Sequence, residues 1–138
     1  MQKPFEIINH TADIGLVVYG NDIKQIFSRA ATGLFSLITD VEQIKAGIER
    51  QIELSSQDME SLLVDWLNEL IYIFEVEHML FKRFEINSLE DNRIRAVCTG
   101  EKINRQHRIY REVKAATYHT LSIKKYNHGL RAKVIFDL

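Results

Sequence analysis

The chain has one cysteine, one proline and six glycines among its 138 residues, and each scarcity excludes something. A lone Cys98 rules out an intramolecular disulfide and any zinc site built from several thiolates. In RIRAVCTG it shares a strand face with Ile94 and Ala96, which reads as a core thiol. With glycines scattered singly and no proline beyond Pro4, no Pro/Gly/Ser linker, low-complexity tract or internal repeat divides the chain. The expectation is one domain over 1–138, long enough to bury a real core. No apolar run reaches the roughly 18 residues of a membrane span, and MQKPFEIINH lacks the charged and apolar regions of a signal peptide. A soluble, reduced, cytoplasmic protein with no membrane partner is expected.

An excess of charge is missing too. Eighteen basic residues face 19 acidic ones, with a pI near 6.5, so the basic footprint of a protein that binds nucleic acid unaided is absent. Any nucleic acid is expected to be met through a partner. Neither the phosphate cradles G-x-x-x-x-G-K-S/T and G-x-G-x-x-G nor the nucleophile elbow G-x-S-x-G occurs, which disfavours a self-sufficient enzyme of those types.

What is present is a clear order of elements. FEIINHTADIGLVVYG opens as strand, with the polar NHTAD as an interruption and IGLVVY apolar enough for burial on both faces. In NDIKQIFSRAATGLFSLITD, Ile23, Ile26, Phe27, Ala30, Leu34 and Leu37 recur at helical steps behind Asn21 as N-cap. Gly33 inside this helix costs about 1 kcal/mol relative to alanine, which suits close packing rather than chemistry. ERQIELSS reads as a strand. SSQDMESLLVDWLNELIYIFEVE is the strongest helix, with Asp58 as a cap and an apolar stripe through Leu63, Trp66, Leu70 and Ile73. Val64 and Ile71 lie off that stripe, which indicates either cover on more than one side or a secondary apolar contact. RFEINSLE, RIRAVCTG, TLSIKKY and LRAKVIFD then alternate at period two, and REVKAATYH fits a strand or a helical turn. This order predicts an α+β fold: a largely antiparallel or mixed sheet with two main amphipathic helices packed on it.

Three constellations could carry chemistry. The first is Asp13 with Asp137 and the α-carboxylate of Leu138, since a final strand paired beside NHTAD would cluster oxygen ligands for a hard cation such as Mg²⁺, Mn²⁺ or Ca²⁺. Without a metal, Asp13 caps a turn and Asp137 is solvated. His10 could be a ligand or orient one; it equally fits a hydrogen-bonded turn, as does His119, and neither has an HxxH or HExxH partner. The second is Asp65 and Glu69 at i, i+4 on the polar side of the long helix, either a solvated face or an interaction surface. The third is basic: Lys102, Arg105, Arg108, Arg111 and Lys114 recur every three residues, as a phosphate or acidic-surface grip or as a solvated loop.

Four ordered stretches, HTADIG, SLLVDWLNELIYIF, GE followed by VKAATYHTL, and VIFDL, together resemble the archease family, the small activators of RtcB-type tRNA-splicing RNA ligases. The resemblance runs from about Phe5 to Leu138. It implies an α+β fold with a divalent metal site (Ca, Mg or Mn) at Asp13 and Asp137 beside the terminal carboxylate of Leu138. It further implies activating roles for Glu69 and Lys114. The family's ligase joins RNA ends carrying 2′,3′-cyclic phosphate or 3′-phosphate to 5′-hydroxyl ends through a guanylylated histidine. An archease promotes guanylylation and multiple turnover without being an enzyme itself, meeting RNA and GTP indirectly through the ligase. This chain departs from the family pattern at Asn104, where an aspartate is common. A general chaperone or assembly factor for RNA-processing enzymes, using the Val64/Ile71 side of the long helix, is the alternative. A small metal-dependent phosphohydrolase would need more ligands than are visible.

Overall fold

The computed structural model describes residues 3–9 and 12–138. The opening apolar stretch folds back on itself as β1 (Phe5–Asn9) and β2 (Asp13–Gly20), paired antiparallel from Phe5↔Val18 to Asn9↔Ile14. Helix α1 (Ile23–Ile38) follows. Its N-cap is Asp22 rather than the expected Asn21: Asp22 Oδ1 accepts from the Gln25 N–H at 2.9 Å, while Gln25 Oε1 accepts from the Asn21 N–H at 2.8 Å. The two bonds satisfy donors in both directions, as in a capping box. A Cβ on Gly33 would lie 2.8 Å from both Leu16 methyls, so the glycine lets α1 lie directly on β2.

A 3-10 turn (Val41–Gln43) leads to β3 (Ile48–Ser55), and then to α2 (Met59–Glu77), capped by Asp58 accepting from the Ser61 N–H. Val64 and Ile71 are both buried in the core. The long helix is covered on more than one side, the first of the two expected outcomes, so the adhesive surface of the chaperone alternative is not at these two residues. Trp66, wholly buried, donates from Nε1 to the Phe27 carbonyl at 3.0 Å and so joins the helices.

Strands β4 (Met79–Glu90), β5 (Arg93–Lys102), β6 (Ala115–Tyr126) and β7 (Gly129–Asp137) complete the chain. All pairings are antiparallel, in two sheets rather than one: β1-β2-β7-β6 and β3-β5-β4. Helix α1 packs on β2 and β4 and α2 mainly on β6, so one contiguous apolar cluster draws on both sheets and both helices. Cys98 is part of it, and burial pushes its thiol up to about 12. The ambiguous REVKAATYH resolves as the entry to β6, and TLSIKKY is the second half of that same strand. Between them the register slips, from Thr117↔Ile135 to Ser122↔Lys133. No helix among the described residues is long and apolar enough to cross a membrane.

Residues 103–114 are irregular but tightly held, and the bonds that hold them set where Lys114 emerges. Gly100 begins the anchorage: a Cβ there would run into the Leu80 carbonyl, so only glycine lets β5 approach β4 this closely. Glu101 Oε2 accepts from the Lys45 N–H at 2.8 Å and from His107 Nε2 at 2.9 Å. His107 Nδ1 accepts from the Asn104 N–H at 3.0 Å, which assigns the buried imidazole its proton on Nε2. Asn104 Oδ1 accepts from the Gln106 N–H, so Asn104 shapes a turn. Further on, the Tyr110 N–H donates to the Ile38 carbonyl and Arg111 Nη1 donates to that of Leu37, satisfying the open end of α1. Arg111 is therefore spent on structure, and the regular basic spacing is not one continuous anion grip.

The free edge of β6 is clasped at Ala116 by a side chain. Asn68 of α2 accepts on Oδ1 from the Ala116 N–H at 2.8 Å and donates from Nδ2 to the Ala116 carbonyl at 3.2 Å, in place of a neighbouring strand. Asn68→Ala leaves both main-chain groups without that partner; the expected loss is about 1–3 kcal/mol in urea unfolding, with faster amide exchange at Ala116. Unchanged exchange there would show that the clasp does not hold the edge. The Lys45 N–H, followed by His107, holds the Glu101 carboxyl below its usual range. A carboxyl with a lowered folded value contributes stability above its unfolded pKa of about 4.3 and loses it as pH falls through the folded value. Glu101→Gln should therefore cost stability at neutral pH and flatten the acid limb of the stability curve, measured by unfolding midpoints across that limb.

Candidate metal centre

Three strand ends meet at one end of the four-stranded sheet. Residue Asp13 opens β2 and Asp137 closes β7, and they are register partners; Asp137 is also the register partner of Ala115, which opens β6. The Lys114 N–H donates to the Asp137 carbonyl at 2.9 Å. Through Ala116, Asn68 ties α2 to the same place, which brings its sequence neighbour Glu69 to this end of the sheet. The long-range pairing expected of Asp13 and Asp137 is thus present, with the Lys114 backbone bonded directly to it.

The electrostatics of the pair are uneven. Asp137 is exposed, whereas Asp13 is half-buried and its Oδ1 is fully buried with no hydrogen-bond donor among the described residues. An anionic oxygen removed from water without a donor costs on the order of 1–3 kcal/mol or more, and a cation is the natural compensation. Hard divalent ions take oxygen ligands, so this donor chemistry fits one. Among the described residues, no group of three or more His, Cys, Asp and Glu side chains is gathered to hold a metal. Leu138 packs its half-buried side chain against the core, which holds the residue after Asp137 in place. His10 lies outside the described residues. His119 is exposed on the irregular stretch of β6, where its N–H donates to Thr117 Oγ1.

Glu69 is half-buried and Lys114 exposed, and among the described residues neither is in an ion pair. Asp65, Glu69, Tyr72 and Val76 form one stripe along α2 at helical spacing, and Tyr72 and Val76 are 57% and 56% exposed. The accessible apolar surface of α2 is thus at Tyr72 and Val76, and not at the Val64/Ile71 side that the chaperone alternative would use. The signal available was two apolar residues continuing the acidic face. The sequence does not single out Asn68 and His107, whose roles depend on partners distant in sequence.

Residues 5–138 match the model of the archease protein family. The protein archease of Methanosarcina mazei is 38% identical over 141 residues, covering 99% of this chain and 97% of the relative. That of Methanothermobacter thermautotrophicus is 37% identical, covering 99% of each. Among solved structures, the solution structure of Methanobacterium thermoautotrophicum protein 1598 superposes with a TM-score of 0.86 at 37% identity, over 99% of this chain and 100% of that one. The crystal structure of an archease, possible chaperone, from Thermotoga maritima shares the fold at a TM-score of 0.65 and 24% identity, over 100% of this chain and 98% of that one. With an unbroken match from β1 to the last residue, the chain belongs to the archease family.

Proposed function

We propose that this protein activates an RNA ligase of the RtcB type, promoting guanylylation and multiple turnover of the ligase in tRNA splicing or RNA repair, without being an enzyme itself. Family membership supports the reading, and the observation that carries it is the buried Oδ1 of Asp13 opposite Asp137, which has no hydrogen-bond donor among the described residues. Asp13 and Asp137 hold a divalent cation, Ca, Mg or Mn, and the family resemblance adds the α-carboxylate of Leu138. Such an ion supplies positive charge for phosphate oxygens at the ligase's active site. The chain's own part is positional: the β2–β7 register sets the two residues opposite each other, and the Lys114 N–H fixes the Asp137 backbone beside them. The Lys114 ammonium, free of ion pairs among the described residues, meets phosphate charge on the ligase's nucleotide or RNA. Glu69, with exposed Tyr72 and Val76, contacts the ligase itself.

A chaperone is the second reading, the Thermotoga maritima archease being described as a possible chaperone, and exposed Tyr72 and Val76 are the surface that favours it. It predicts suppression of client aggregation that Asp13→Asn leaves intact.

Two measurements test the ligase reading. In thermal unfolding of the protein alone, Ca²⁺ or Mn²⁺ should raise the wild-type midpoint, since a bound ion adds about 2.7 kcal/mol at a hundredfold excess over Kd. Asp13→Asn and Asp137→Asn should abolish the rise; its absence in wild type removes the metal site. In GTP-dependent turnover at limiting ligase, wild type should stimulate, while Asp13→Ala and a form extended by a glycine pair after Leu138 should not. An extended form matching wild type eliminates the terminal carboxylate as a ligand. No stimulation by wild type leaves the chaperone reading.

A further inference from the structure

The near-zero net charge of the chain conceals a sharp segregation. Between Glu112 and Asp137 there is no acidic residue, but five lysines and arginines. Four of them, Lys124, Lys125, Arg131 and Lys133, line a single open groove of about 490 Å³ on the β6–β7 hairpin, together with Ser122 and Tyr126. Ala132, Val134 and Phe136 of β7 point into the core. Strand alternation therefore sends Arg131 and Lys133 to the opposite face, where their register partners are Lys124 and Ser122. Lys124 thus sits directly across from Arg131, a like-charge pair that destabilises an isolated hairpin. None of the four cations is in an ion pair among the described residues. An anion brought from outside would relieve the repulsion.

An aromatic platform stands among these charges. The Tyr126 ring rests on the buried Tyr19, centroids 5.3 Å apart, with the Arg131 guanidinium 6.0 Å from its own centroid. It still exposes 39% of its surface. A carboxylate-bearing protein surface makes use of the cations but not of the ring. A nucleic-acid single strand uses both, laying its backbone along a basic groove and stacking bases on aromatic side chains, as on other sheet surfaces that read unpaired bases.

We propose that this groove binds a single strand of nucleic acid directly, with phosphates on Lys124, Lys125, Arg131 and Lys133 and one base stacked on Tyr126. The proposal goes beyond the ligase reading and does not depend on it, because the protein alone is the binder. The groove is also separate from the carboxylate pair: at about 3.3 Å per residue, Arg131 is about 20 Å from Asp137 along β7.

The test is fluorescence anisotropy of the full chain with a labelled oligouridylate of about 12 nucleotides, within the span that one small module covers. Four phosphate contacts give a slope of log association constant on log salt of about −2.8, a loss of about fiftyfold between about 50 and 200 mM salt. In the Lys124→Gln/Arg131→Gln double variant the slope should fall to about −1.4, while Lys24→Gln on exposed α1 surface should change nothing. Tyr126→Ala should weaken binding and Tyr126→Phe should retain it, with thermal unfolding confirming that each variant folds. No binding by wild type, or a double variant with an unchanged slope, overturns the proposal and leaves the lysines as protection of an open sheet edge. So does equal binding by Tyr126→Ala together with equal competition by polyglutamate, which would show a surface that reads charge alone.

Discussion

The structure depends on the register of β7. It is an interior strand of the four-stranded sheet, paired with β2 on one side and β6 on the other, and its last paired residue is Asp137. A slip of one residue against either neighbour sends every side chain to the opposite face. What prevents it is apolar burial: Ala132, Val134 and Phe136 are fully enclosed, and the two larger side chains each contribute about 1.5–3 kcal/mol by leaving water. The hydrophobic effect, which has no direction of its own, thereby sets a carboxylate opposite Asp13.

The polar groups around that strand do a different task. Residues 103–114 have no ladder of their own, so their backbone is held by side chains and by the open end of α1. Glu101, His107, Asn104 and Arg111 each bond a main-chain group that has no strand or helix partner. Asn68 does the same for the free edge of β6. Together these contacts deliver Lys114 to the end of β7 with its ammonium exposed, and bring α2 with Glu69 to the same end of the sheet. The same strand that ends in an acidic pair carries Arg131 and Lys133 further back, so one strand joins an acidic end to a basic face.

Much of this was legible from residues alone. Helical periodicity located both helices, period-two alternation located the later strands, and Gly33 and Cys98 behaved as a close-packing residue and a core thiol. The ordered motifs carry the family resemblance, and the carboxylates of Asp13 and Asp137 stand out as candidates from the residues themselves. Other features were not legible. The N-cap lay one residue away from the expected one because Asn21 and Asp22 are both good caps, and only the reciprocal bond from Gln25 separates them. Val64 and Ile71 lie off the main stripe, and their burial follows from the way α2 is covered on more than one side.

Local preference and composition, then, determined the elements, the α+β class and the candidate residues, because period, capping chemistry and apolar content are properties of neighbours in sequence. Tertiary structure decided what those residues face. It split the strands into two sheets, turned Asn68 into a surrogate strand, spent Arg111 on a helix end and gathered Lys124, Arg131 and Lys133 on one surface. The net charge of −1 sums over the whole chain and carries no information about position. Register and packing restore that information, since they alone determine which charges share a face.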